Sequence, residues 1–229
     1  MPRHLFAIIC LLTLLHMPAT SGMGQPQPVN SRWEKAILAF EESDEMKFPR
    51  KGCVLFVGSS SITKWDTDAG FPDRNVLNRG FGGSQTEDQL QFMDRIVWKY
   101  EPTVIVYYCG DNDINAKKTP AEVIENVMTF RERVAEKLPN TKFVYLPIKP
   151  SLKRWALWGE MSEVNAAIRK ASEKDSKFHY CDVATPMLGQ SGEPRPELFV
   201  KDGLHLSVAG YALWNAEVEK LLKELSPAR

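Results

Sequence analysis

The sequence has no excess of charge of either sign, because 29 Lys and Arg residues balance 29 Asp and Glu. That excludes the strongly basic surface a phosphate backbone demands, so nucleic acid is not an expected partner. Cysteine is scarce, with four among 229 residues, and neither Cys nor His falls into a metal-ligand spacing. No metal site is expected, and no cofactor. Internal repeats and low-complexity tracts are missing, and 43% hydrophobic with 10% aromatic content is globular chemistry rather than that of a disordered chain. The N-terminal apolar run, Leu5 to Leu15, falls short of the ~20 residues that cross a bilayer.

What is present begins with that run. Arg3 and His4 precede it, and Pro18 with the small residues Ala19, Thr20, Ser21 and Gly22 follows it, which is the order of parts in a signal peptide. The expected organisation is a signal peptide over 1–24, a linker over 25–30 and one domain over 31–229. The protein is then exported, periplasmic or secreted, with no stable membrane insertion; an uncleaved N-terminal anchor is the alternative. Cleavage removes Cys10 and leaves Cys53, Cys109 and Cys181, each in an apolar run and so expected as a buried free thiol.

Ser31 and Glu34 have capping-box spacing ahead of a helix with Trp33, Ile37 and Phe40 on one face. Apolar strand candidates recur at Cys53 to Val57, Val76 to Leu77, Val104 to Tyr108, Phe143 to Ile148 and Phe178 to Val183. Helical patterns lie between them. Thr86 to Trp98 aligns Leu90, Met93 and Val97, and Thr119-Pro120 with Glu122 opens a helix whose stripe is Val123, Val127, Phe130, Val134 and Leu138. Further helices are expected over Met161 to Ser172 and after Ser207, the last carrying Ala212, Val218, Leu221 and Leu222. Continuously apolar strands alternating with helices predict a three-layer α/β/α sandwich around about five parallel strands. Ligands of such sheets bind at the carboxyl ends of the strands, so the loops there are where chemistry belongs.

Gly58-Ser59-Ser60-Ser61 follows the first strand, where a glycine permits a tight bend and a serine is either a nucleophile or a helix cap. It lacks the second glycine of the G-x-S-x-G elbow, which argues against the ordinary α/β-hydrolase fold. Gly80-Phe81-Gly82-Gly83 follows the second strand and offers either close backbone N–H donors or a tight turn; it lacks the lysine and the spacing of a nucleotide loop. Gly110-Asp111-Asn112-Asp113 follows the third, where the Asn112 amide can donate to a developing oxyanion or close an Asx turn. The most diagnostic spacing is Asp202-Gly203-Leu204-His205, an acid and an imidazole in one turn. A carboxylate on Nδ1 fixes the tautomer that presents Nε2 to a serine hydroxyl, which is a poor nucleophile until a base takes its proton.

In that order, Ser60, Gly83, Asn112, Asp202 and His205 resemble the SGNH (GDSL-like) hydrolase superfamily over about residues 50 to 215. The resemblance implies Ser60 as nucleophile, Asp202 and His205 as its triad partners, and Ser60 N–H, Gly83 N–H and the Asn112 side chain as the oxyanion hole. One block departs: Ser59 stands where the family's Gly-Asp-Ser-Leu has Asp. Ser59 is read as structural, and Ser61 is kept as the alternative nucleophile. The Gly-Phe-Gly-Gly loop with Trp65 is similar to the platelet-activating-factor acetylhydrolase-like branch, which implies a flavodoxin-like fold and removal of short acyl groups, typically acetyl.

The expected activity is a serine esterase acting through an acyl-enzyme on a small-molecule or glycan ester, with carbohydrate and lipid-derived alcohols both open. The alternatives are an acyltransferase on the same triad and a noncatalytic carbohydrate- or envelope-binding module. No substrate-binding residue is assigned: Lys149, Pro150, Ser151, Arg154, Trp155 and Trp158 either line the cleft entrance or continue a solvated helix.

Overall fold

The computed structural model describes residues 31–225; the expected signal peptide and linker lie outside them. Five strands, β1 (Val54–Gly58), β2 (Val76–Asn78), β3 (Val104–Tyr108), β4 (Lys142–Tyr145) and β5 (Phe178–Tyr180), form one parallel sheet in the order β2-β1-β3-β4-β5. This is the three-layer α/β/α sandwich expected, in the flavodoxin-like strand order. The helices are α1 (Ser31–Met46), α2 (Ser60–Thr63), α3 (Thr67–Gly70), α4 (Thr86–Ile96), α5 (Asp111–Asn115), α6 (Pro120–Lys137), α7 (Trp158–Ser172) and α8 (Val208–Leu225).

Alternation along the buried strands divides the interior in two. Leu55, Val57, Ile105 and Tyr107 join Ile37, Phe92, Val127, Phe130 and Val164 on the side of α1, α4, α6 and α7. Phe56, Val106, Tyr108 and Val144 join Trp65, Trp214, Val218 and Leu222 on the side of α8. The α6 stripe is the one expected, and Thr119 and Glu122 close its capping box reciprocally. The α8 stripe holds at Val218, Leu221 and Leu222 but not at Ala212, which is exposed; Trp214 occupies the core instead, its ring 5.3 Å from Trp65 and 5.1 Å from Tyr108. Burial of that indole anchors α8, and with it the loop that carries His205; truncation to Ala costs about 3–5 kcal/mol.

Two strands are shorter than their apolar runs. The β4 ladder ends at Tyr145, yet Leu146 to Ser151 stay buried. Asn165 of α7 takes over from the ladder, its Oδ1 accepting the Ile148 amide at 2.7 Å and its Nδ2 donating to the Ile148 carbonyl at 2.8 Å. β5 ends at Tyr180 while Cys181 and Val183 remain in the core, so apolarity outlasts hydrogen-bonded pairing there as well. Cys53, Cys109 and Cys181 are buried and unpaired thiols; burial pushes Cys53 up to about 11 and Cys181 up to about 12.

β1 and β3 are paired to their last residues, Gly58 opposite Tyr108, but the chain leaves β1 toward β2 on one side and leaves β3 toward β4 on the other, so the loops at their carboxyl ends part in opposite directions. That switch point is where a crevice opens.

Candidate active site

At the end of β1 the backbone must turn sharply against β3. Gly58 has φ +149°, and a Cβ there would lie 1.9 Å from the Tyr108 carbonyl oxygen, so only glycine fits. Ser59 follows, fully buried, its amide donating to the Tyr108 carbonyl and its own carbonyl accepting from Ile62 and Thr63. That turn starts α2 with Ser60 at its first position and half-exposed, whereas Ser61 is buried and its carbonyl accepts from the Tyr211 hydroxyl. Of the three serines, Ser60 is the one that reaches the crevice.

The acid–imidazole turn is shaped by its own side chain. Asp202 Oδ1 accepts the amides of Leu204 at 2.8 Å and His205 at 2.9 Å, and Gly203 adopts φ +64° to close the bend. Asp202 Oδ2 lies 2.6 Å from His205 Nδ1, and His205 Nε2 lies 3.1 Å from Ser60 Oγ. An ionised carboxylate can only accept, so the imidazole proton sits on Nδ1 and the Nε2 lone pair faces the serine. The hydrogen bond from His205 holds the Asp202 carboxyl well below the usual carboxylate range, helped by the two backbone amides.

Across the crevice, Phe81 N donates to Gly58 O and Trp33 Nε1 donates to Gly82 O at 2.9 Å, which pins the glycine loop against the end of β1. A Cβ at Gly82 would lie 3.9 Å from Ser60 Cβ. Gly83 has φ +77° and room for a side chain only at the expense of Arg32. Asn112, in α5, donates from Nδ2 to the Ser84 carbonyl at 2.9 Å. Hydrogen bonds thus join Ser60, His205 and Asp202 directly, Gly82 brings the glycine loop beside Ser60, and Asn112 is tied to the end of that loop through Ser84.

Asp111 and Asp113 flank Asn112 but face structural partners. Asp113 is buried and accepts from Thr86 N at 3.0 Å and Thr86 Oγ1 at 2.6 Å; burial raises its pKa despite those bonds. Asp111 pairs with Arg154 at 2.9 Å and Lys149 at 3.4 Å. These partners correct the solvated-helix reading: Lys149 is 1% exposed, Ser151 is buried, and Arg154 turns inward to donate to Asn112 Oδ1 at 3.0 Å. Their signal in the sequence was a lysine ending an apolar run at the carboxyl end of the sheet. Trp155 and Trp158 do remain partly exposed, stacked at 5.7 Å and 21°. Leu152 and Trp155, with Glu193 and Arg195, line a surface cavity of about 330 Å³, and Leu152 packs against the position of a Gly203 Cβ at 3.2 Å.

Comparison with known families matches residues 62–213 to the GDSL-like Lipase/Acylhydrolase family, a span that takes in Gly83, Asn112, Asp202 and His205 and starts just past Ser60. The chain belongs to this family, within the SGNH superfamily, and is an ester-hydrolysing enzyme. Among solved structures, a Streptococcus pneumonia protein whose proposed identity is a platelet activating factor is 23% identical, with TM-score 0.76 over 85% of this chain and 94% of that one. A GDSL-like lipase from Bacteroides thetaiotaomicron is 17% identical, with TM-score 0.73 over 82% and 97%. An acetyl xylan esterase is 16% identical, with TM-score 0.64 over 74% and 98%. At these identities the likeness is one of fold. No curated protein matches the chain.

Proposed function

We propose that the protein removes short acyl groups, acetyl foremost, from a carbohydrate or lipid-derived ester through an acyl-enzyme on Ser60. The observation that carries this reading is the continuous line Asp202 Oδ2, His205 Nδ1, His205 Nε2, Ser60 Oγ, with steps of 2.6 and 3.1 Å. Ser60 Oγ attacks the ester carbonyl carbon as its proton passes to His205 Nε2, giving a tetrahedral oxyanion. The Ser60 and Gly83 amides and the Asn112 amide group donate to that oxygen, each worth about 3 kcal/mol of barrier. His205 then returns the proton to the departing alkoxide, which leaves as the alcohol, and Asp202 stabilises the imidazolium in between. Water, deprotonated by the same imidazole, attacks the acyl-serine; carboxylic acid departs and Ser60 is restored.

A glycan alcohol is supported by the cavity beside Gly203, where Trp155 offers an aromatic face and Glu193 and Arg195 offer hydrogen-bonding groups. The acetyl xylan esterase among the similar folds is consistent with that chemistry. Export through cleavage of residues 1–24 would place the enzyme where polymeric glycans lie.

The test is hydrolysis of p-nitrophenyl acetate, butyrate and octanoate by wild type, Ser60→Ala and Ser61→Ala. Loss in Ser60→Ala alone, with acetate preferred, is the expected result. Wild-type rates no higher than those of both variants would overturn the simple-ester reading and favour a binding module or an acyltransferase.

A further inference from the structure

Three ionisable side chains near the site are used by none of these steps. Lys149, Asp111 and Arg154 have side chains 1%, 6% and 11% exposed, and they carry one carboxylate between two cations. Asp111 Oδ2 is the hub, 2.9 Å from Arg154 Nη1 and 3.4 Å from Lys149 Nζ, and Lys149 also donates to the Tyr108 hydroxyl at 3.0 Å. Burying three such groups is costly, and an apolar set of like volume is often as stable, so fold stability alone gives a poor account of them.

Their outlet is Asn112. A primary amide can sit two ways round, and only one way serves an oxyanion; the flipped amide would point its carbonyl oxygen at developing negative charge. Two contacts select the orientation. The Ser84 carbonyl requires a donor and takes Nδ2 at 2.9 Å, while the guanidinium can only donate and takes Oδ1 at 3.0 Å. With one N–H committed to Ser84, the other is left for the substrate oxygen. A cation on Oδ1 also polarises the amide and strengthens that remaining donor in a site of low dielectric.

We propose that Arg154 is a positioning residue of the esterase, held by an ion pair to Asp111 at Nη1 and donating a hydrogen bond to Asn112 Oδ1 from Nη2, so that the amide stays locked with its N–H toward the oxyanion. The proposal rests on the reading of Asn112 as an oxyanion donor. Burial lowers the pKa of Lys149 while Asp111 opposes that shift, so Lys149 steadies the hub more weakly than the fixed charge of Arg154.

The experiment is steady-state hydrolysis of p-nitrophenyl acetate by Arg154→Met, Arg154→Lys, Asn112→Ala and the double variant Arg154→Met with Asn112→Ala. Active enzyme is counted by stoichiometric labelling with a fluorophosphonate, and folding by thermal denaturation. Arg154→Met should lower kcat roughly tenfold or more with KM nearly unchanged, since the Asn112 donor it orients meets the oxyanion only in the transition state. In the Asn112→Ala background the same change should add nothing, as two residues acting as one unit do. Arg154→Lys, able to keep the ion pair with Asp111 and hence the fold, should still lose kcat because an ammonium does not span both acceptors as the planar fork does. Wild-type kcat in Arg154→Lys, or losses that multiply in the double variant, would overturn the proposal while a slow Asn112→Ala left the esterase reading standing. Asn112→Ala at full turnover would remove the oxyanion reading and this inference with it.

Discussion

On one side of Ser60, Asp202 and His205 lie three residues apart in a single turn, and Asp202 builds that turn by accepting the amides of Leu204 and His205. On the other side, Asn112 depends on Ser84, 28 positions earlier, and Arg154, 42 positions later, with Asp111 and Lys149 buried behind them. The acid–base half is local, open to solvent and shaped by one side chain. The proposed oxyanion half is distributed, with Asn112 only partly buried over a dry ion cluster, and it is assembled only when three strand ends come together. Proton transfer tolerates water at its edge, whereas a donor for a transient anion gains strength from low dielectric and fixed orientation. In the proposed mechanism the two halves therefore divide the work by environment as well as by chemistry.

The largest effect should come from the atom both halves share. Ser60→Ala is expected to lower kcat on p-nitrophenyl acetate by about 10⁵- to 10⁶-fold, while Ser61→Ala stays close to wild type in its buried position. Equal losses in both would mean that the crevice is read from the wrong serine.

Asp202→Asn tests the local half. The imidazole would lose the acceptor that holds its proton on Nδ1, and kcat should fall about 10⁴-fold. Stability should move little, because the Asp202 side chain is 42% exposed and water screens it. The sign follows from the depressed pKa: whatever stability the carboxylate adds is present above its unfolded value near pH 4 and fades as pH falls through the lower folded value. Thermal midpoints of wild type and variant should thus differ most near neutrality and converge in strong acid. A large neutral-pH destabilisation would make Asp202 a fold residue first and erase the contrast between the two halves.

Asn112→Ala tests the distributed half, with an expected loss of about 10²- to 10³-fold in kcat. A loss confined to KM would place the amide on the ground-state ester instead of the oxyanion.

The same contrast explains what could be read in the sequence. Asp202 and His205 were legible from spacing, and the order Ser60, Gly83, Asn112, Asp202, His205 from a family pattern, because turns and motifs are written locally. The strands were legible as apolar runs, but their ends were not: Leu146 to Ile148 are as buried as a strand while Asn165, distant in sequence, carries the backbone bonds of Ile148. In α8 the choice of Ala212 over Trp214 followed from a helix hydrophobic on more than one side, whose inward face is decided by Trp65 and Tyr108. For Lys149 and Arg154 the sequence left a cleft-lining and a solvated reading equally open, because their carboxylate, Asp111, sits on α5, distant in sequence. A charge paired across the fold leaves no periodic trace.

The smallest expected effect lies outside both halves, at the cavity beside Gly203. Trp155 is stacked on Trp158 and leaves part of its surface to the cavity it lines with Leu152, Glu193 and Arg195. If a sugar ring rests there, Trp155→Ala should raise KM for an acetylated oligosaccharide by roughly threefold to tenfold, the worth of one aromatic contact. The kcat for p-nitrophenyl acetate should not change, since that ester is too small to use the cavity and both halves of the crevice are untouched. Equal effects on the two substrates would show that the indole supports the Leu152 to Arg154 segment, and through it Asn112. The tryptophan would then belong to the distributed half, and the alcohol side of the substrate would have to be sought elsewhere.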